Sequence, residues 1–281
     1  MSDFLNKLIQ NFDTFTNSQK TIANYLMENL DTVAFNTLED ISSKVGVSTT
    51  TVIRFTRALG YNGYSELQKD IQGGIKNKVS LPNRLNEEVN IPKDQLLYDS
   101  FENDMKNIQK TLSSLSEDAL LNTIQTISSA RNVYILGMRG SFSLAHYMFS
   151  RLGQIRRNIR LIQSVGITYP EELIGAAEGD VCIAYFFPRY SKASATILSW
   201  LKRKGVKIIL FTSLNHHAVR EFGDVFLPCA ISGISFKNSY AAPICLTNYI
   251  AAAMVGNDYE RSKEVLEDME DLLSQGYYLG L

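Results

Sequence analysis

The sequence has few of the residues and segments that mark secreted, metal-binding or membrane proteins. Its 281 residues include six prolines and three well-separated cysteines, Cys182, Cys229 and Cys245. An odd number of cysteines in apolar surroundings indicates buried thiols in a reducing compartment, and no pair of them has metal-ligand spacing. No hydrophobic run is long enough to cross a bilayer, and "MSDFLNKLIQ" lacks the features of a signal peptide. We therefore expect a cytoplasmic protein with no membrane association.

Neither sign of charge dominates the chain. The 28 basic and 29 acidic side chains nearly cancel, so the total charge identifies no class of partner. Hydrophobic residues make up 45% of the sequence, which is enough to form a substantial core and argues against intrinsic disorder. A chain of this length is more typical of two domains than of one.

Two short amphipathic helices are predicted in the first fifth of the chain. In "NSQKTIANYLMENLDTVAF" apolar residues recur at helical spacing, and Ser18 is the predicted N-cap. In "TLEDISSKVG" the spacing of Thr37 and Asp40 is that of a capping box. Gly46 then supplies the left-handed residue that ends this second helix.

A third helix is predicted from Ser48 or Thr49 to about Leu59, with two distinct faces. Its apolar face carries Val52, Phe55 and Leu59. The rest of its surface carries hydroxyl and guanidinium groups, on Thr50, Thr51, Arg54 and Arg57. In a helix-turn-helix the start of the second helix enters the major groove, where such groups bind bases or phosphates. The same residues also suit a helix cap with solvated arginines, and residues 1–77 carry seven basic and eight acidic side chains. Composition alone leaves both interpretations open.

The longer string "VSTTTVIRFTRALGYNGYSELQ" resembles the N-terminal domain of RpiR-type bacterial transcriptional regulators, over about residues 17–75. The resemblance implies that the third helix reads duplex DNA. It implies these contact residues: Ser48, Thr49, Thr50, Thr51, Arg54 and Arg57. Because one such domain reads only a half-site, we expect a homodimer or a higher homo-oligomer.

The last two thirds of the chain have the pattern of a parallel sheet. Five short apolar runs, rich in β-branched and aromatic residues, are "VYILG", "IRLIQS", "VCIAYFF", "VKIILFTS" and "DVFLP". Strands that are apolar on both faces are typical of a parallel sheet covered by helices. The spacing predicts an α/β fold with a doubly wound five-stranded sheet, which follows an all-α N-terminal domain.

Two more helices are predicted before this sheet, over residues 96–112 and 116–129. The first has apolar residues at helical spacing, namely Leu97, Phe101, Met105, Ile108 and Leu112. We expect both helices to pack on the domain that follows. The predicted organisation is a helix-turn-helix domain at 1–77, a linker at 78–95 and a second domain at 96–281.

Ligands of doubly wound sheets bind beyond the carboxyl ends of the strands. Three loops there, "GMRGSFSLA", "FFPRYSKA" and "FTSLNHH", combine glycine, hydroxyl and arginine groups that suit an anion. The predicted effector-binding residues are Gly137, Arg139, Gly140, Ser141, Arg189, Ser191, Thr212 and Ser213, with Ser239 as a further contact or an N-cap. Each serine taken alone also suits a helix cap. The first loop is not the dinucleotide fingerprint, and we expect no cofactor.

In this order the segments resemble the sugar isomerase (SIS) domain that forms the C-terminal half of RpiR-type regulators, over about residues 115–256. "GMRGS" stands where that family has a glycine-rich loop ending in serine, and "FPRYSK" where many members have Ser-x-Ser-Gly-x-Thr. Pro188, Arg189 and Tyr190 depart from the second pattern, which leaves the sugar open. The resemblance implies a regulator of carbohydrate metabolism that senses a phosphosugar.

The main alternative is a sugar-phosphate isomerase with an accessory N-terminal domain. Such an enzyme needs a general base facing the sugar. Glu171 and Glu172 lie in the predicted first turn of a helix, while His216 and His217 are adjacent and would point apart. A third alternative is a structural interaction module, which would give the loops no purpose. We therefore predict a regulator with no catalytic residues.

Overall fold

The structure is a computed structural model, which divides into two compact units, residues 1–90 and 91–281. It describes residues 3–29, 33–34, 36–78, 94–163, 169–234 and 236–274. The division falls within the predicted linker 78–95, of which residues 79–93 lie outside the described ranges.

The first unit is helical, as predicted. Its helices are α1 Asp3–Asn11, α2 Asn17–Glu28, α3 Leu38–Val45, α4 Thr49–Ala58 and α5 Tyr64–Lys78. Side chains from all five helices form one core, which includes Phe4, Leu8, Ile22, Leu26, Ile41, Val52, Phe55 and Leu67. Tyr61 and Tyr64 belong to this core too, and the hydroxyl of Tyr64 donates to the carbonyl of Asn36 at 2.9 Å.

Local capping defines the helix-turn-helix formed by α3 and α4. Thr37 and Asp40 form the predicted capping box, with N–H to oxygen distances of 2.9 and 3.1 Å. Gly46 ends α3 with a φ of 74°, and Ser48 caps α4 by accepting from the N–H of Thr51. Because these contacts span four residues or fewer, their spacing in the sequence is sufficient to predict them.

The predicted cap of α2 is wrong. Thr16, rather than Ser18, is the N-cap, and it forms a reciprocal capping box with Gln19. The helix therefore begins at Asn17, and the serine lies inside its first turn. The side chains of Thr16 and Gln19 each accept a hydrogen bond from a backbone N–H group. A cap at Ser18 would place Thr21 at the third helical position, where a capping box needs a glutamate or glutamine.

The second unit is an α/β domain with a five-stranded parallel sheet. Its strands are β1 Val133–Gly137, β2 Ile159–Ile162, β3 Val181–Tyr185, β4 Lys207–Ser213 and β5 Val225–Cys229. Its helices are α6 Leu96–Ser114, α7 Glu117–Ser129, α8 Phe142–Gly153, α9 Tyr169–Leu173, α10 Lys192–Arg203, α11 Ala241–Asn257 and α12 Tyr259–Ser274. The strand order β2-β1-β3-β4-β5 confirms the predicted class of sheet.

Two separate apolar clusters cover the two faces of the sheet. Val133 and Ile135 of β1 pack with side chains from α7, α8 and α11 on one face. Tyr134 and Leu136 pack with α9 and α10 on the other. The sheet is therefore doubly wound, and the carboxyl ends of its strands are reached from one edge.

Helix α6 differs from the prediction in the face that it buries. Four of its five predicted packing residues are 61–72% exposed: Leu97, Phe101, Met105 and Leu112. The helix instead buries Asn107 and Thr111, which are 2% and 4% exposed. We call the four exposed side chains the apolar stripe of α6. The apolar periodicity predicted the helix correctly, but it predicted that the apolar face packs on the domain, and that face is exposed.

The cysteines also depart in part from the prediction. Cys182 and Cys229 are buried strand residues, and burial raises the pKa of both thiols. Cys245 is exposed, because it lies on the outward side of α11 beside Ile244. Helix α11 is apolar all round, so the sequence could not distinguish its inner from its outer side.

Asp180, just before β3, anchors the edge of the sheet opposite the candidate ligand loops. Its carboxylate is 1% exposed and accepts hydrogen bonds from both Nε and Nη2 of Arg131, from Asn132 and from the N–H of Ala177. Burial alone would raise its pKa, but these donors and the nearby guanidinium outweigh it and lower the pKa to about 2.

Asp180 should therefore make the protein sensitive to acid. A carboxylate whose pKa is lower in the folded than in the unfolded protein stabilises the fold above its unfolded pKa. Here that contribution, about 2 kcal/mol, should be lost as the pH falls from about 4 towards 2. Denaturant unfolding of Asp180→Asn should show a lower free energy at pH 7 and a weaker dependence on acid pH. Asp268→Asn, which breaks an exposed pair with Arg157, should change little; equal effects in both variants would contradict this account.

Candidate DNA-binding helix and effector site

Helix α4 buries one face and exposes the predicted DNA-binding side chains. Val52, Phe55 and Leu59 are 0–3% exposed and lie in the core of the first unit. Arg54 and Arg57 are exposed on the other side of the helix. The partly positive N-terminus of α4 lies one turn from Arg54, so this face attracts anions.

The cap explains some of the polar residues at the start of α4 but not all of them. The hydroxyls of Ser48 and Thr51 lie 2.8 Å apart, and Thr49 is half-buried. In contrast, the exposed side chains of Thr50, Arg54 and Arg57 make no hydrogen bond or ion pair within the part of the chain that the structure describes. These three share one face at steps of four and three residues, which a cap does not require.

The loop after β1 folds back tightly over the end of its strand. A Cβ atom on Gly137 would lie 2.3 Å from the carbonyl oxygen of Ser141 and 2.9 Å from Cβ of Ala145, so only glycine fits there. At Gly140 a Cβ would lie 3.2 Å from the hydroxyl of Tyr240. The predicted glycines therefore permit a close turn that leads through residues 139–141 into α8.

The structure brings the three predicted loops together at the carboxyl edge of the sheet. The hydroxyl of Ser191 donates to the sulfur of Met138 at 3.4 Å, which joins the loops after β3 and β1. The hydroxyls of Tyr190 and Ser213 lie 3.3 Å apart, which joins the loops after β3 and β4. Polar groups from strand ends that are distant in sequence therefore share one surface.

Hydrogen bonding distinguishes the serine that caps a helix from the two that do not. Ser191 caps α10 by accepting from the N–H of Ser194, and Ser239 accepts from the N–H of Ala241. Ser141 occupies the N-cap position of α8, yet its side chain forms no cap bond. Its 7%-exposed hydroxyl lies 3.4 Å from that of Tyr240. The cap interpretation therefore holds for Ser191 and is wrong for Ser141. It is also wrong for Ser239, because Tyr240 occupies the N-cap position of α11.

The two loop arginines have an unusual backbone conformation. Arg139 and Arg189 have φ values of 55° and 67°, and Asn158 is the other described non-glycine residue with a positive φ. This conformation costs a residue with a Cβ roughly 1–2 kcal/mol, and such strain concentrates at binding sites. Both side chains are exposed and make no ion pair with any described residue. The structure does not bring them into contact with the loop hydroxyls.

Thr212 has a buried hydroxyl at the end of β4. Its side chain is fully buried, and Oγ1 has no hydrogen-bond partner among the described residues. An unsatisfied buried hydroxyl costs about 1–3 kcal/mol. A ligand oxygen that accepted this proton would remove the cost.

Two tyrosines of this region were not among the predicted ligand residues. Tyr190 lies between two predicted ligand residues in "FPRYSK", which was the available sign of its role. The sequence around Tyr240 did not indicate a role in the site, because Tyr240 and its partner Ser141 are 99 residues apart in the chain. Its ring centroid also lies 5.8 Å from that of Phe187, so it packs directly over the strand ends.

Two of the groups considered as catalytic bases, Glu172 and His216, have protein partners. Glu172 accepts from the backbone N–H of Gln163 at 3.0 Å, beside the edge strand β2. It lines a cavity of about 550 Å³ there, which none of the predicted effector residues lines. The ring of His216 stacks on Phe226 at 4.8 Å, and its Nδ1 lies 3.2 Å from the carbonyl oxygen of Leu214.

Two further features concern metals and membranes. Within residues 3–274, apart from the gaps given above, no three histidine, cysteine or carboxylate side chains are arranged to hold a metal ion. In the same ranges, no helix combines the length and apolarity that crossing a membrane requires.

Family models match both units of the chain. The helix-turn-helix domain of the rpiR family matches residues 2–78, and the SIS domain matches residues 126–253. An uncharacterised HTH-type transcriptional regulator of Clostridium perfringens is 24% identical over 74% of this chain and 75% of its own length. A second from Haemophilus influenzae is 23% identical, with 79% and 78% covered.

Solved structures show the same fold. NanR of Vibrio vulnificus, solved in complex with ManNAc-6P, has a TM-score of 0.62 at 17% identity and covers 97% of this chain and 98% of its own. The sugar isomerase domain of an RpiR transcription factor from Sphaerobacter thermophilus has a TM-score of 0.59 at 23% identity, with 63% and 99% covered. With its N-terminal helix-turn-helix domain and its C-terminal SIS domain, this chain belongs to the RpiR-type family of transcriptional regulators.

Proposed function

We propose that this protein is a cytoplasmic, DNA-binding transcriptional regulator of carbohydrate metabolism whose SIS domain senses a phosphosugar. The observation that carries the proposal is the exposed face of α4, where the side chains of Thr50, Arg54 and Arg57 form no hydrogen bond or ion pair with any residue that the structure describes. One helix of this kind on a domain of the rpiR family supports operator recognition. Its fold neighbour NanR was solved with a phosphosugar, which supports the same class of effector here.

The chemistry of the strand-end loops supports a phosphate rather than a neutral sugar alone. Ser141 and Thr212 offer hydroxyls that no helix cap uses, and the N-terminus of α8 has no side-chain cap. Backbone N–H groups at such a terminus bind phosphate. Arg139 and Arg189 would add charge, and a guanidinium can bind two phosphate oxygens at once.

The second candidate function is a sugar-phosphate isomerase. A putative enzyme of that kind from Listeria monocytogenes shares the fold, with a TM-score of 0.52 at 16% identity over 64% of this chain and 98% of its own. Isomerisation needs a base at the sugar. Glu172 accepts from the backbone of Gln163 beside β2, away from the loops, and His216 in the loop after β4 stacks on Phe226 with its Nδ1 beside the carbonyl oxygen of Leu214. We therefore propose that the domain binds its sugar without converting it. Chromatography of sugar phosphates after long incubation tests this, and an aldose–ketose conversion would contradict it.

We also propose that the protein is a homodimer, joined through α6 and α11. The apolar stripe of α6 is exposed, and so are Ile244 and Tyr249 on α11, which packs beside α6. Contiguous exposed apolar surface on a folded unit marks a protein interface. Two copies would place two helix-turn-helix domains on one palindromic operator.

Binding of a sugar phosphate should depend on Arg189. Removal of one charge-assisted contact, worth about 1.5–3 kcal/mol, should weaken binding by about 10- to 100-fold in Arg189→Ala. Isothermal titration calorimetry with ManNAc-6P and with the unphosphorylated sugar measures this directly. Arg203→Ala, at the far end of α10, should bind as the wild type does. Equal affinity for the two sugars, or wild-type affinity in Arg189→Ala, would place the site elsewhere.

A further inference from the structure

Helix α6 is attached to the second unit by a row of polar side chains. Asn103, Asn107 and Thr111 follow one another at one-turn spacing, and we call them the polar ladder. The side-chain amides of Asn103 and Asn107 donate to the carbonyl oxygen of Ser232, at 2.7 and 2.6 Å. Asn107 also accepts from the N–H of Ser232 at 3.2 Å, and Thr111 accepts from the N–H of Ala230 at 2.8 Å. The ladder therefore holds the backbone that directly follows β5.

That backbone leads in two short steps to the candidate effector site. Ile231, next to Ser232, accepts from the N–H of Ser239 at 3.3 Å. The residue after Ser239 is Tyr240, whose hydroxyl lies 3.4 Å from that of Ser141. A continuous series of hydrogen bonds and single peptide steps therefore joins Asn107 on α6 to the loop after β1.

We propose that residues 230–234 and 236–240, here named the post-β5 segment, transmit occupancy of the effector site to α6. The proposal rests on the function proposed above and specifies how that site is coupled to the rest of the protein. An anion bound at the loop after β1 competes with Tyr240 for the hydroxyl of Ser141. Tyr240 then moves with the segment that it ends, and the polar ladder carries this displacement to α6.

Two features of α6 make it suited to receive the displacement. It is held by directional hydrogen bonds, which weaken steeply when donor and acceptor move apart by fractions of an ångström. It is also the first described helix after the predicted linker, and it carries the apolar stripe of the proposed dimer interface. A small shift of α6 therefore changes both the end of the linker and the proposed contact between protomers, which are elements that can switch between two arrangements.

Hydrogen exchange of the full-length protein, followed by NMR, tests the coupling. Tyr240→Phe and Ser141→Ala each remove one partner of the contact at the effector site. Both should speed exchange of the amides of Ala230 and Ser232, which the ladder holds, by at least about fivefold. Tyr259→Phe, which removes an exposed hydroxyl on α12, should leave them unchanged. Wild-type exchange rates in both site variants would overturn the proposal.

Added inorganic phosphate separates this proposal from the proposed function. In the wild type, phosphate should change exchange at Ala230 and Ser232, and in Tyr240→Phe the change should be lost. If the two variants speed exchange while phosphate has no effect on the wild type, the coupling between the contact of Tyr240 with Ser141 and the polar ladder is supported, and the proposed phosphate site is refuted. If phosphate binds and protects the loop after β1 without any change at Ala230 and Ser232, the transmission is absent.

Discussion

Replacement of both Arg54 and Arg57 by alanine should remove most of the affinity of this protein for its operator. The two guanidinium groups lie three residues apart on the exposed side of α4, beyond the threonines at its start. Each contact to a base or phosphate is worth about 1–3 kcal/mol, so the double variant should bind at least about 30-fold more weakly. Fluorescence anisotropy with an operator fragment, selected from random duplex DNA on the wild-type protein, measures the loss.

The salt dependence of binding shows what kind of contact is lost. For each phosphate contact removed, the slope of log affinity against log salt concentration should become shallower by about one. The matched control removes two exposed arginines of the second unit, Arg203 and Arg220. It changes the net charge equally and should leave operator affinity within about twofold of the wild type. Unchanged affinity in the Arg54 and Arg57 double variant would refute the role of α4.

Replacement of both Phe101 and Met105 by glutamate should convert the proposed dimer into a monomer. These side chains are 66% and 61% exposed at the centre of the apolar stripe, so the folded unit does not need them for its own core. In a dimer each substitution loses buried apolar surface and places an unpaired carboxylate in the interface, which costs several kcal/mol. The dimer dissociation constant should rise at least about 100-fold, since each 1.4 kcal/mol is a factor of ten.

Sedimentation velocity at micromolar concentration distinguishes the two states. The control, Lys106→Gln with Lys110→Gln, makes the same change in net charge on another side of α6. Both lysines are exposed, and Lys106 loses only a surface pair with Glu102. A double-glutamate variant that stays dimeric would exclude this interface. A wild type that is monomeric yet binds its operator fully would exclude the dimer itself.

The parts of the fold that sequence reasoning predicted are those with local causes. The capping box of Thr37 and Asp40, the turn at Gly46 and the cap at Ser48 each depend on contacts within four residues. The strands were predicted because burial on both faces leaves continuous apolar runs. The orientation of α6 depends instead on partners 119 and 125 residues away, where Thr111 and Asn107 satisfy backbone groups after β5. Periodicity contains no information about such partners.

The candidate effector site also combines features with local causes, which could be predicted, and features that depend on distant residues, which could not. Its loops could be located from the ends of the predicted strands, because the carboxyl ends of parallel strands lie at one edge of the sheet. The role of Tyr240, the buried hydroxyl of Thr212 and the left-handed backbone of Arg139 and Arg189 all arise from the assembled loops. For the same reason the sequence assigned a possible cap role to Ser141, although its hydroxyl faces another loop.

The central claim is that a phosphosugar bound to the SIS domain controls binding of DNA. Its most direct test is operator affinity, measured by fluorescence anisotropy with each sugar phosphate that raises the melting temperature and with its unphosphorylated sugar. At least one sugar phosphate should change the dissociation constant about fivefold or more, as a coupling of about 1–3 kcal/mol requires. Its unphosphorylated sugar should have no effect. If sugar phosphates stabilise the protein while operator affinity stays constant with every one of them, the claim is contradicted.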